Sequence, residues 1–189
     1  MGSAVIFRLA SDRVFCRKVE KAAARCIQAL QRSRKILVCG NGGSASDALH
    51  FAAELVGRFE RERRALAVMA LTSNVSVLTA VANDYGYDRV FERQVEALGR
   101  RGDVLVAIST SGKSTNVNRA LACAGRLGLY RIGLTGKSGG PQSRLVDLEI
   151  RIPPATTAHT QEAHIAVIHI LCDRIESEFS RRPPKGAGY

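Results

Sequence analysis

Five short runs rich in Val, Ile and Leu, separated by segments of helical periodicity, constrain the fold of this chain more than any other feature. The runs are KILVCG (35–40), ALAVMAL (65–71), DVLVAIST (103–110), YRIGLTG (130–136) and DLEIRIP (147–153). Most are near-continuous rather than alternating, the pattern of strands buried on both faces of a parallel sheet. Helical patterns lie near 11–33, 44–57, 75–82, 88–99, 114–127 and 160–179. This rhythm predicts a three-layer α/β/α sandwich around a five-stranded parallel sheet, with right-handed crossovers and helices flanking it at both ends. No repeat or internal linker interrupts it, and 189 residues suffice for one domain with a sizeable core.

Composition narrows the function classes. No apolar run approaches the ~20 residues that span a bilayer. The opening MGSAVIFRLASDR is charged too soon for a secretory signal, and Phe7 and its neighbours do not fit a myristoylation motif. A cytoplasmic protein is expected, with no membrane partner. Cys16, Cys26, Cys39, Cys123 and Cys172 are odd in number and show no C-x-x-C spacing, so reduced thiols among apolar neighbours are expected. The formal net charge of +11 raises nucleic acid as a partner, but the basic residues are scattered and aromatics make up only 5 %. A positive surface that attracts anionic metabolites fits better, and no nucleic-acid partner is expected.

In a parallel α/β sheet the ligand sits beyond the carboxyl ends of the strands. GNGGSAS, TSNVS, STSGKST and TGKSGG follow the first four runs, and three of them are rich in Gly and Ser. Such turns expose backbone N–H groups near helix N-termini, where the dipole favours anions. STSGKS (109–114) offers the hydroxyls of Ser109, Thr110, Ser111 and Ser114, with Gly112 allowing close approach. It matches neither G-x-x-x-x-G-K-[ST] nor G-x-G-x-x-G, which disfavours a nucleoside triphosphate or dinucleotide and suits one phosphate monoester. GNGGSAS adds Asn41, Gly42, Gly43 and Ser44, with Asn41 a candidate for a sugar hydroxyl. Asn83 and Asp84 follow a short helical stretch.

His50 and Glu54, at i and i+4, share one helix face. TQEAHIAVIHIL places Gln161, Glu162, His164 and His169 on the last helix. His50, Glu54, Gln161 and His169 converging from two helices have two readings. One is a divalent-metal site, since two imidazoles and a carboxylate are common zinc ligands. The other is a general acid/base pair that moves a proton next to a carbonyl. His164 reads as a core histidine, and His159 is left open.

CGNGGSASDALHFAAEL, TAVANDYGYD, GDVLVAISTSGKS and TQEAHIAVIHIL closely resemble the phosphoheptose isomerases, within the sugar isomerase (SIS) superfamily of flavodoxin-like folds. The resemblance runs from about residue 33 to 178. It implies a single SIS domain over 1–189, with an N-terminal helix at 11–33, a sugar-phosphate-binding core at 34–180 and a flexible tail at 181–189. It implies isomerisation of sedoheptulose 7-phosphate to D-glycero-D-manno-heptose 7-phosphate, a first step toward activated heptoses of lipopolysaccharide, capsules or S-layers. It further implies a homotetramer with sites between subunits, and one Zn2+ per subunit held by His50, Glu54, Gln161 and His169. Glu54 would be the base and His169 the acid. Substrate contacts would come from Asn41, Gly42, Gly43, Ser44, Glu54, Asn83, Asp84, Ser109, Thr110, Ser111, Ser114 and Gln161.

The departures are local. Lys113 stands where the loop usually has Asn, and Ala158 and His159 stand where many members carry an acid and an arginine ahead of the Gln. The alternative reading is a non-catalytic SIS-domain protein that binds a protein partner, of the replication-initiator-associating type. The full His50/Glu54/Gln161/His169 set argues against it.

Overall fold

A computed structural model of the chain describes residues 2–153 and 156–180, the side chains of residues 2–4 excepted. The tail expected to be flexible, 181–189, lies outside the described residues. The strands are β1 (Ile36–Gly40), β2 (Val68–Ala70), β3 (Val104–Ser109), β4 (Tyr130–Thr135) and β5 (Leu148–Arg151). All pair in parallel in the order β2-β1-β3-β4-β5, with Ile36 opposite both Val68 and Val104, and Val104 opposite Tyr130. This is the flavodoxin-like order.

The helices are α1 (Gly2–Ser11), α2 (Arg13–Gln31), α3 (Gly43–Val56), α4 (Val75–Tyr85), α5 (Val90–Leu98), α6 (Thr115–Leu127) and α7 (Thr157–Ser180). Side chains alternate along β1. Ile36 and Val38 enter a core with α1, α2, α3 and α7, while Leu37 and Cys39 enter a second core with α5 and α6. Two apolar faces per strand explain why the runs read as continuous. The two edge strands are the shortest, and Met69 at the centre of β2 is 42 % exposed. The 65–71 run is therefore a three-residue strand.

The predicted helices recur within a few residues of their expected bounds. α1 is additional, and Asp12 separates it from α2 by accepting hydrogen bonds from the N–H groups of Val14 (2.8 Å) and Phe15 (3.2 Å). All five cysteines are free thiols and all but Cys16 are buried. Among the described residues no helix is long and apolar enough to cross a membrane. Arginines scattered in sequence do gather in space. Arg25, Arg32, Arg34, Arg101 and Arg131 line a cavity of about 680 Å³ at the amino-terminal end of the sheet, away from the glycine and serine turns.

Candidate active site

The strand order reverses between β1 and β3, so a crevice opens beyond their carboxyl ends. From it α3 leaves into one helical layer and α6 into the other. Asn41 and Asn116 pair across it through two amide hydrogen bonds of 2.8 and 2.9 Å, and the Tyr87 hydroxyl donates to Asn41 Oδ1 at 3.0 Å. Asn41, expected to hold a sugar hydroxyl, is thus fixed by protein partners. Gly42 caps α3 with φ +56°, a left-handed conformation that favours glycine, and no side chain caps the helix there. A side chain at Gly43 would overlap the amide of Gln161, so glycine lets α7 close against the start of α3.

The serine turn between β3 and α6 is internally braced. Ser109 Oγ and Ser114 Oγ lie 3.1 Å apart, Gly112 N–H donates to Ser109 Oγ at 3.1 Å, and Lys113 N–H donates to Ser111 Oγ at 3.2 Å. Gly112 has φ +65°, and a Cβ there would overlap the Gly139 carbonyl. That close approach presses the serine turn onto the β4–β5 connection, where Gln142 N–H donates to Gly112 O at 3.1 Å. Ser114 is the N-cap of α6 but makes no capping bond, and Val117 N–H donates to Asn116 Oδ1 at 2.9 Å, so the N–H groups of Thr115 and Asn116 stay available to an anion. Thr110, Ser111 and Ser114 are half-buried and Lys113 is exposed.

α3 and α7 run side by side in parallel, Gly43 meeting Gln161 at one end and His50 meeting His169 two turns on. His50 Nε2 lies 3.0 Å from His169 Nε2 and 3.2 Å from Glu54 Oε1. The Phe59 ring packs on His169 with centroids 5.5 Å apart. The side chains of His50 and Glu54 remain 43 % and 24 % exposed, and Leu49, Val56 and Ile170, close to the cluster residues in sequence, are exposed as well. Three of the four residues expected to converge therefore do. Gln161 stands eight residues before His169, about 12 Å along the helix, with its amide at Gly43 instead.

As they stand, no group of three His, Cys, Asp or Glu side chains among the described residues is arranged to hold a metal ion. The donor chemistry nonetheless matches a catalytic zinc, two imidazoles and a carboxylate with an open fourth position. Spacings of 3.0 and 3.2 Å are also close to the ~3.3 Å between ligand atoms around tetrahedral zinc.

The remaining candidates fall elsewhere. Asn83 and Asp84 are exposed on α4 and bond each other at 2.8 Å, with no hydrogen bond to the serine turn. His164 is buried, and its Nε2 pairs with Thr135 O at 3.1 Å. Burial holds its pKa down at about 4, against a smaller upward pull from that bond. It is the core histidine expected. Of His159, the backbone N–H donates to Thr156 Oγ1 at 3.2 Å, and its side chain makes no hydrogen bond among the described residues.

Sequence reasoning missed Asn116, Tyr87 and a buried carboxylate, Glu176, beyond the cluster. Asn116 carried a signal, a polar residue at a position of α6 that the helical period turns inward.

A sheet of this order with glycine and serine turns at its switch point defines a doubly wound α/β domain with an anion-type crevice, and the SIS domain family model matches residues 15–136. The phosphoheptose isomerase of Aliarcobacter butzleri is 54 % identical over 162 residues, 86 % of each chain. That of Geobacter sulfurreducens is 52 % identical over 167 residues, 88 % of each chain. The solved phosphoheptose isomerase GmhA of Neisseria gonorrhoeae superposes with a TM-score of 0.86 at 45 % identity, and that of Francisella tularensis with 0.89 at 38 %, each covering 93 % of both chains. The chain belongs to the SIS family and, within it, to the phosphoheptose isomerases.

Proposed function

We infer that this chain is an aldose–ketose isomerase that converts sedoheptulose 7-phosphate to D-glycero-D-manno-heptose 7-phosphate. The observation that carries this reading is the meeting of His50, Glu54 and His169 from α3, which begins at the glycine turn, and α7, whose Gln161 packs against that turn. The protein-binding alternative is not favoured, since a scaffold has no use for that cluster.

The reaction removes a proton from C1 of the ketose and returns it to C2 through a cis-enediol. Glu54 takes that proton and gives it back. His169 passes a proton between the two oxygens, and Phe59 holds its ring in place. The N–H groups at the start of α6 and the hydroxyls of Ser109, Thr110, Ser111 and Ser114 hold the phosphate, which presents the reactive end in one geometry. Gly42, Gly43 and Ser44 offer the backbone of α3's first turn, and Gln161 lies beside it to meet the sugar chain. His50, Glu54 and His169 would hold a zinc ion, which when bound polarises the sugar carbonyl.

The assembly proposed is a homotetramer with sites between subunits. α4 buries no residue in the single chain, and Val75, Tyr85 and Tyr87 are exposed beside Asn83 and Asp84. A neighbouring subunit would cover this face and bring those two polar side chains to a site.

The test is incubation with sedoheptulose 7-phosphate, with and without chelator, watching the aldose form by NMR. Glu54→Gln is expected to abolish turnover while leaving sugar-phosphate binding intact, and near-normal turnover would remove Glu54 from the mechanism.

A further inference from the structure

The segment after α3, GRFERERRA (57–65), is rich in charge, yet the structure buries part of it. Glu176 on α7 is fully buried, and its carboxylate accepts three consecutive backbone N–H groups. Phe59 N–H donates to Oε1 at 2.9 Å, and Glu60 and Arg61 N–H donate to Oε2 at 2.7 and 2.8 Å. Arg63 Nε lies 3.5 Å from Oε1, with both side chains fully buried. Burial pushes the Glu176 pKa up, but the three N–H bonds and Arg63 outweigh it and hold the group below its ordinary value, so it stays ionised.

The other end of Arg63 binds α3. Its Nη2 donates to Glu54 O at 2.7 Å and its Nη1 to Gly57 O at 2.7 Å, carbonyls at the helix C-terminus that α3 itself leaves unpaired. The residue whose carbonyl is gripped is Glu54. The residue whose N–H meets Glu176 Oε1 is Phe59, whose ring lies on His169. Glu176 itself stands two turns after His169, on the same face of α7. One buried ion pair thus ties the backbone of Glu54 to the surroundings of His169.

We propose that Glu176 and Arg63 are positioning residues for the isomerisation, fixing the last turn of α3 against α7 so that Glu54 and His169 face one substrate. This rests on the assignment of Glu54 and His169 as the groups that move protons. Neither Glu176 nor Arg63 touches the substrate. The phosphate turns lie at the opposite ends of these helices and on other elements, so the two residues act on the chemical step rather than on binding.

Glu176→Gln is an informative change because both carboxylate oxygens accept N–H groups. A glutamine of the same shape must turn its own NH2 against at least one of those donors. Arg63→Lys keeps a cation but lacks the fork that spans Glu54 O, Gly57 O and Glu176.

Each variant and Glu54→Gln are assayed on sedoheptulose 7-phosphate for kcat and KM, beside a thermal unfolding curve and hydrogen exchange of residues 53–61. The expected result for Glu176→Gln and Arg63→Lys is a kcat lower by roughly 10- to 100-fold with KM changed less than about twofold, in protein folded at the assay temperature. Faster exchange at 53–61 accompanies it. A kcat within about twofold of the parent overturns the proposal, as does a loss that only tracks the unfolded fraction. If Glu176→Gln does not fold, Arg63→Lys decides by the same criteria. Glu54→Gln separates the two levels. Full turnover in that variant sinks the assignment beneath the proposal, whereas a dead Glu54→Gln beside an unimpaired Arg63→Lys sinks the positioning role alone.

Discussion

Substituting His164 by Gln should change how stability depends on pH. The imidazole is buried on α7 where its Nε2 meets the Thr135 carbonyl at 3.1 Å, and its Nδ1 is buried without a hydrogen-bond partner among the described residues. Burial, the larger effect, disfavours a charged ring and outweighs the upward pull of the Thr135 carbonyl, lowering its pKa from 6.5 to about 4. The unfolded chain therefore takes up the proton first as pH falls. Stability from the neutral ring is complete above pH 6.5 and is lost on descending from there toward 4, reaching about 3 kcal/mol in total. Between pH 7 and 5 the loss amounts to about 2 kcal/mol.

Gln keeps an N–H for Thr135 O and carries no proton to titrate. At pH 7 it should cost about 1–2 kcal/mol for poorer packing and pairing. At pH 5 that difference from the parent should vanish or reverse. Asp47 titrates in the opposite sense, its pKa raised to about 6 chiefly by burial, but it is present in both proteins and cancels. The assay is urea unfolding of both proteins at pH 7, 6 and 5, at one protein concentration because subunit association would shift the midpoints. Parallel stability curves across that range would refute the assignment of His164 as a neutral core residue.

Two further outcomes are expected. Gly43→Ala should leave the melting temperature unchanged or slightly raised, since Ala is the better helix former by up to about 1 kcal/mol, yet lower turnover by pushing the Gln161 amide aside; unaltered kinetics would take Gln161 out of the site. Titration of the native protein with a thiol reagent should label Cys16 alone at an appreciable rate, because burial raises the Cys26 and Cys39 pKa values to about 12 and also raises that of Cys172. Rapid labelling of a second thiol before denaturation would show that the core is looser than described.

What was legible in the sequence follows the range of the interactions involved. Strands buried on both faces write themselves as unbroken Val/Ile/Leu runs, so β1, β3 and β4 are read almost to the residue. Gly42 and Gly43 mark the start of α3 because a tight exit from β1 needs them. His50 and Glu54 share a helix face by spacing alone, and the scarcity of histidine drew attention to His169. The pairing of α3 with α7 was also readable in kind, but not its offset. That offset sends Gln161 to Gly43 rather than to the imidazoles.

Long-range polar pairing left no trace. RFERERR looks like a solvated run, and only the fold shows that Arg63 turns inward to a carboxylate 113 residues away. α1 was missed because no capping residue announces it and its sequence is as apolar as an exposed leader would be. The homologous motifs added the reaction and the substrate, which no spacing argument supplies.

The parallel run of α3 and α7 has a consequence for selectivity. Gly43 and His50 stand seven positions apart, which sets about 10 Å of helix between the glycine turn and the imidazoles, while the serine turn assigned to the phosphate lies across the crevice from that glycine turn, at the same end of the sheet. That stretch works as a ruler. A sugar anchored by its terminal ester reaches the far mark only if its carbon chain is long enough, and a triose or tetrose ester stops short of it. Discrimination by length then needs no dedicated side chain, and shifting the cluster by one helical turn would retune the enzyme to a different chain length.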